Sequence, residues 1–332
     1  MLGFFLLQNL KMNMNPIYIS IIIASRHRET ILWETVQKAI EATAGNKVEI
    51  IVVNDGDSVF TIPEGLANKI SCFNNPSKGV SAARNFGVKN STGQLLFFID
   101  DDMWVTKEAI EWIEKNILPA HNVLNVYNLN WHYPPSLDKK LLQTKVGRYL
   151  LNASYHTMWG RMKTTGKEPA RGIFPFHMVM SGSLLLSKEI FIKAGGYNEG
   201  ITFQSEDNEL AKSLLAIDAN IYCVFDVMLY HNQQDRLDVK GFLSRISQGY
   251  QTQFEAAQKG LLDKSFATGY EKTFLFEACR KTEPAWLFLL DKMPGGNMLG
   301  PVTTKLIGML SGLQRYKAWK TVFKKYGYAE IQ

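Results

Sequence analysis

The sequence predicts an α/β protein: a mostly parallel sheet flanked by helices, followed by a helical C-terminal extension. Three observations carry this expectation. Apolar runs too continuous for a half-wet strand recur in the first hundred residues, as strands buried on both faces require. Segments with apolar residues at helical spacing alternate with them, which implies right-handed βαβ units. From 240 to 332 the pattern is helical and basic.

In order along the chain, "IYISIII" (17–23) is a β-branched strand that breaks at "ASRHRE". "TILWETVQKAIEATAG" follows as a helix closed by Gly45, a residue suited to a helix C-terminus. "KVEIIVVNDGDS" (47–58) repeats the strand and ends in acidic and turn residues. "GVSAARNFGVKNSTG" (79–93) is the next helix, and "QLLFFIDDD" the third strand. The stretch 121–175, with "WHYPPS" and "TGKEPARGIFP", reads as loops and short elements. "MVMSGSLLLSKEIFIKAGGYNEG" (178–200) gives a strand with small residues at its start, a helix and a Gly-Gly turn. "QSEDNELAKSLLAIDANIYCVFDVMLYHN" (204–232) gives an acidic helix start and a buried strand ending at His231. The expected organisation is a leader at 1–16, an α/β domain at 17–239 and the basic helical extension at 240–332. Met12 or Met14 would serve equally well as the start.

At 332 residues and 46% hydrophobic, the chain is long enough for a large buried core. The net charge of +6 resides in the extension, where 14 Lys and Arg face 7 Asp and Glu; the rest holds 23 against 24. No nucleic-acid-binding motif accompanies that charge, so nucleic acid is not an expected partner. Cys72, Cys223 and Cys279 are far apart, with neither disulfide-framework nor zinc spacing, which fits a cytoplasmic setting. The apolar opening "GFFLL" is too short for a signal peptide or a span.

In open α/β sheets, ligands collect at the carboxyl ends of the strands. The three N-terminal strands place polar loops there: Ser25 to Glu29, Asn54 to Ser58, and Asp100 to Asp102. Three adjacent carboxylates repel, and burial would make that worse. A solvated acidic turn is one account of them. A hard divalent cation, Mg²⁺ or Mn²⁺, is the other, because oxygen ligands suit it and its charge offsets theirs. In extended geometry Asp100 and Asp102 would project to one side and Asp101 elsewhere.

Taken together the motifs resemble the inverting glycosyltransferases of family 2, which have the GT-A fold. "IIIASRHRE" and "EIIVVNDGDS" resemble that family's opening strand, nucleotide loop and "VDDGS" stretch. "NPSKGVSAARNFGVKNSTGQLLFFIDDD" is similar to its N-x-G-x-x-x-A-R-N-x-G segment and Asp-x-Asp motif. "SGSLLLSKEIFIKAGGYNEG" and "SEDNELAKSL" resemble its acceptor-side strand, its Gly-Gly turn and its Glu-Asp helix. The resemblance spans about 17–235, and Ala24 and His27 depart from it in the first loop.

The resemblance implies a metal-dependent transfer of a sugar from a nucleoside diphosphate sugar, with a UDP-sugar favoured, to a saccharide or lipid-linked acceptor. It implies Asp102 as the leading ligand of Mn²⁺ or Mg²⁺, with Asp100 and Asp101 sharing metal and ribose contacts and His231 as a further metal ligand. Ser25, Arg26, Asp55 and Arg84 would contact the nucleotide. Asp207 would be the catalytic base and Glu206 would orient the acceptor. Each has a plain structural alternative: an Asx turn for Asp55, a surface charge for Arg84, helix-dipole partners for Glu206 and Asp207, a core residue for His231. A polyprenyl-phosphate glycosyltransferase and a sugar nucleotidyltransferase are the rival enzymes, though the latter would want a Gly-rich phosphate loop that "ASRHRE" lacks.

In "RYKAWKTVFKKYGY" (315–328), Tyr316, Trp319, Phe323 and Tyr326 recur at three and four, with lysines between. Such a helix suits peripheral contact with an anionic membrane at the inner face, or docking on the catalytic domain with its lysines in water.

Overall fold

A computed structural model describes residues 19–119, 122–162, 166–263, 273–293 and 300–326; the expected leader lies outside them. In chain order the elements are β1 Ile19–Ser25, α1 Glu29–Ala42, β2 Val48–Asn54, β3 Ser71–Asn74, α2 Val80–Lys89, β4 Leu95–Asp100, β5 Met103–Trp104 and α3 Lys107–Asn116. There follow β6 Asn125–His132, α4 Asp138–Gln143, α5 Lys145–Asn152, α6 Met158–Arg161, β7 Ile173–Phe176, β8 Ser183–Ser187, α7 Lys188–Lys193, α8 Glu206–Leu215 and β9 Asn220–His231. Three longer helices end the chain: α9 Val239–Gln258, α10 Thr273–Lys292 and α11 Gly300–Tyr326.

One nine-stranded sheet runs β3-β2-β1-β4-β8-β6-β9-β5, with β7 also paired to β9. β1 to β4, β6 and β9 share a direction, and β5, β7 and β8 oppose it. The apolar runs explain the centre: Ile21, Ile22, Ile23, Ile51, Val52, Phe97 and Phe98 have no exposed surface. Side chains that alternate in β1 feed opposite layers, Ile21 and Ile23 joining one apolar cluster and Ile22 the other, as a strand between two helical layers must.

The stretch 121–175 differs from expectation, because β6 lies between β8 and β9 inside the sheet. Its sequence, "NVYNLNWH", hides a strand behind asparagines of poor β propensity. Asn128 is fully buried yet satisfied: Nδ2 donates to the carbonyls of Met178 at 3.0 Å and Tyr222 at 3.1 Å, and Oδ1 accepts from Met180 N at 2.7 Å.

The final helix is docked. Tyr316 is buried and stacks on Phe276 of α10 at 5.5 Å, while Val322 and Phe323 pack with Phe254 of α9. Lys317 pairs with Glu283 at 2.9 Å and Lys320 with Glu277; Tyr326 stays exposed. The aromatic edge thus faces the protein, since burying those rings there removes more apolar area from water than leaving them outside. Among the described residues no helix is long and apolar enough to cross a membrane, and none of the three cysteines is in a disulfide.

Candidate functional site

The site forms at the carboxyl edge of β1, β2 and β4, closed by the end of β9. Asp100 is the last residue of β4, opposite Ala24 of β1. The chain turns at Asp101 and Asp102, then pairs β5 antiparallel with β9 so that Met103 faces His231. That short pairing brings His231 Nε2 to 3.0 Å from Asp102 Oδ1. Asn232 N donates to Asp102 O at 2.6 Å and locks the turn. The His231 ring is wedged edge-on against Trp131 and Tyr133, at 4.8 and 5.6 Å.

Asp100, Asp102 and His231 each offer one ligand atom, all within 4.8 Å of one another. Two carboxylate oxygens and an imidazole nitrogen suit a divalent cation such as Mn²⁺. Asp102 Oδ1 is buried and faces the His231 ring at 3.0 Å, so both atoms stand where one cation could take them as ligands. The residues present therefore fit a metal.

The three carboxylates are offset by cations that the sequence does not mark as partners. Arg28 contacts Asp101, reaches Asp102 Oδ2 at 2.9 Å, and is held from the other side by Asp235 at 2.8 Å. Arg236 stands 3.4 Å from Asp102. Ser25 Oγ donates to Asp101 Oδ2 at 2.6 Å. Burial alone would raise Asp102, but His231, Arg28 and Arg236 outweigh it and hold that carboxyl below the usual range. Asp101, also buried, is pushed up to about 7 by burial against the pull of Arg28. Beside this cluster opens a cleft of about 680 Å³, lined by His27, Arg28, Thr30, Lys140 and Gln234 among others.

Arg84 of α2 joins this cluster to the second acidic pair. It is buried, with Nη2 2.8 Å from Asp100 Oδ1 and Nη1 2.7 Å from Glu206 Oε1, and its guanidinium lies 5.3 Å from the Tyr197 ring. Glu206 and Asp207 open α8 after two residues in the left-handed region, Gln204 at φ 54° and Ser205 at φ 71°. Asp207 Oδ1 accepts from Ser181 N at 3.1 Å and from Ser181 Oγ, which in turn accepts from Tyr197 OH at 2.6 Å. Burial first, and then the neighbouring Glu206, push Asp207 up to about 7. A carboxyl with that poise can take a proton near neutrality.

Two glycines make room. A Cβ on Gly182, at the start of β8, would lie 2.8 Å from Asp100 Oδ2. One on Gly249 of α9 would lie 1.6 Å from Gln204 Oε1, so the extension presses on the turn that presents Glu206 and Asp207.

The remaining expected residues stand apart. Asp55 Oδ1 accepts from Asn75 Nδ2 at 2.8 Å and from Gly79 N at 2.9 Å, bracing the loop before α2, where Gly79 sits at φ 106°. Arg26 is exposed. Arg28, Asp235, Arg236, Ser181, Tyr197 and Gly182 are site residues that the sequence alone did not single out. The only hints are the alternating basic residues of "SRHRE" and the small residues opening "SGSLLL".

Comparison with known proteins identifies a family. The family model described as Glycosyl transferase family 2 matches residues 20–191, a little over half of the chain. An uncharacterized glycosyltransferase of Rickettsia typhi, RT0329, is 26% identical over 77% of this chain and 74% of its own length. The Escherichia coli UDP-Glc:alpha-D-GlcNAc-diphosphoundecaprenol beta-1,3-glucosyltransferase WfaP is 37% identical over 26% of this chain, a stretch that spans 37% of that protein. Among solved structures, residues 1–349 of S. aureus TarS superpose with a TM-score of 0.48 at 14% identity, over 93% of this chain and 91% of that one.

Proposed function

The chain belongs to glycosyltransferase family 2, and from that premise we propose that it is a metal-dependent, inverting enzyme of polysaccharide or glycoconjugate assembly. It moves a sugar from a nucleoside diphosphate sugar, with a UDP-sugar favoured, to an acceptor hydroxyl. The observation that carries this reading is the double carboxylate arrangement at one sheet edge: Asp100 and Asp102 with His231 on one side, Asp207 at the other, tied by Arg84.

Asp100, Asp102 and His231 would hold Mn²⁺ or Mg²⁺, which when bound offsets the charge of the departing diphosphate. Asp101 and Ser25 fix the turn from which those carboxylates project. Arg28, Arg236 and Arg26 supply positive charge toward the phosphates, and Asp55, with one oxygen committed to its own loop, presents the other toward ribose or base. Asp207 takes the proton of the attacking hydroxyl, held in orientation by Ser181. Glu206 and Arg84 keep Asp207 placed relative to the metal carboxylates, with Glu206 also orienting the acceptor. A single in-line displacement needs no covalent nucleophile and inverts the anomeric centre.

The name of WfaP supports a lipid-linked saccharide as acceptor, since that relative glucosylates a sugar carried on diphosphoundecaprenol. An acceptor of that kind places the chain in the cytoplasm at the inner face of the membrane. In α11 the aromatic edge is packed and Lys317 and Lys320 pair with Glu283 and Glu277, which leaves exposed Lys324 near its end for such contact.

Isothermal titration of the full chain with UDP, GDP and CDP, with and without Mn²⁺, tests the reading. Metal-dependent binding of one nucleotide, lost in Asp102→Ala, is the expected result. No binding under any condition would overturn it.

A further inference from the structure

The outward face of α10 takes no part in the site. Leu275 is 56% exposed, Phe288 65% and Leu289 44%; with Ala278 and Ala285 they recur at helical spacing on one side. Two carboxylates of the same helix are engaged by side chains of α11. Glu283 is engaged by Lys317 and Gln314 of α11, and Glu277 by Lys320 and Tyr316. Lys281 and Lys292 remain on the outer side, with Lys292 Nζ 5.7 Å from the Phe288 ring. At about 100° per residue, Asp291 stands off the sector that runs from Phe288 through Lys292 and Ala285 to Leu289. The helix is fixed from beneath by Phe276 on Tyr316 and by Lys145 Nζ on Leu290 O.

Apolar side chains flanking central lysines match an anionic lipid surface: the rings and methyls enter the headgroup boundary while the lysines extend to phosphates. A second copy of the chain fits less well, because a two-fold contact would set these lysines against themselves. We infer that α10 is the element by which this protein lies on an anionic bilayer, with Leu275, Phe288 and Leu289 inserted and Lys281 and Lys292 on lipid phosphates. The inference deepens the reading of a lipid-linked acceptor and rests on it.

The test is co-sedimentation of the full chain with vesicles of equal parts phosphatidylglycerol and phosphatidylcholine, against phosphatidylcholine alone. Binding to the anionic vesicles at low salt, weakening as salt rises, is expected. Phe288→Ser with Leu289→Ser lowers it at least about tenfold, and Lys281→Gln and Lys292→Gln roughly fivefold each. All four positions are exposed, so melting temperature stays that of the wild type. Three outcomes overturn the inference: no vesicle binding at low salt, undiminished binding by the variants, or binding abolished by removal of residues 1–16 alone. A serine variant that turns a dimer into a monomer with vesicle binding unchanged is one case of the second. Metal-dependent UDP titration on the same preparations separates the two readings. Nucleotide binding without vesicle binding defeats only the lipid surface, and the reverse defeats only the glycosyltransferase assignment.

Discussion

Arg84 Nη1 lies 2.7 Å from Glu206 Oε1, a buried ion pair that joins side chains 122 residues apart. Its second nitrogen reaches Asp100, so one guanidinium spans the interval between the acidic end of β4 and the acidic start of α8. The pair sits in low dielectric, where neither charge tolerates the loss of the other.

Arg84→Ala therefore destabilises the fold by about 3–5 kcal/mol, read as a lower urea midpoint. Arg84→Met combined with Glu206→Gln recovers part of that loss, because no buried charge is then left alone. A single variant as stable as the wild type would show that the pair holds nothing together.

Asp207→Asn lowers sugar transfer by roughly 10²–10⁴-fold while nucleotide affinity stays within about twofold, since the amide oxygen still accepts from Ser181 and only the proton acceptor is lost. In the wild type the transfer rate rises with pH through about 7 as this carboxyl ionises. An unchanged rate in the variant would remove Asp207 from the chemistry.

The same carboxyl links pH to stability. Its folded value of about 7 stands above the ordinary Asp value of about 3.9, so the folded chain binds the proton more tightly. The stabilisation this gives is complete below the lower value and is lost as pH rises through about 7. Asp207→Asn escapes that loss and melts roughly 6 °C higher than the wild type at pH 8, with the difference vanishing near pH 4. A difference independent of pH would contradict the assignment.

Arg28 occupies Asp101 and Asp102 from the side where a cation and diphosphate would arrive. Arg28→Gln removes that competitor, so Mn²⁺ without nucleotide binds about tenfold more tightly in titration calorimetry, a gain of about 1.4 kcal/mol. The same change weakens UDP binding in saturating Mn²⁺. Unaltered metal affinity would mean that the guanidinium leaves the carboxylates at no cost.

Gly182→Ala introduces a Cβ 2.8 Å from Asp100 Oδ2. The carboxylate must move, and metal-dependent nucleotide binding falls by about tenfold or more with the melting temperature little changed. Equal loss of binding in Gly182→Ala and in a distant surface control would sink the explanation.

Local sequence determined a good deal here. The strands ending at Ser25, Asn54 and Asp100 were legible because a run such as "SIIIAS" or "LLFFID" can be buried on both faces only as a central strand. The acidic end of β4 and the acidic start of α8 were legible through the family resemblance, since on their own a solvated turn and helix-dipole partners account for them as well. β6 was not, since the asparagines that lower its propensity are satisfied only by partners from β9 and the loop before β8. Tertiary structure alone decided which charges meet. Arg28 and Arg236 converge on Asp102 across more than seventy residues of sequence, a match that depends on the packing of the β1 loop and the end of β9 on one turn and not on any local pattern. It also decided that the aromatic edge of α11 faces inward, and that α10 buries Leu290 and packs Phe276 on Tyr316 while Leu275, Phe288 and Leu289 stay outside. Both helices carry amphipathic patterns, and such a pattern says that a face must be covered without saying by what.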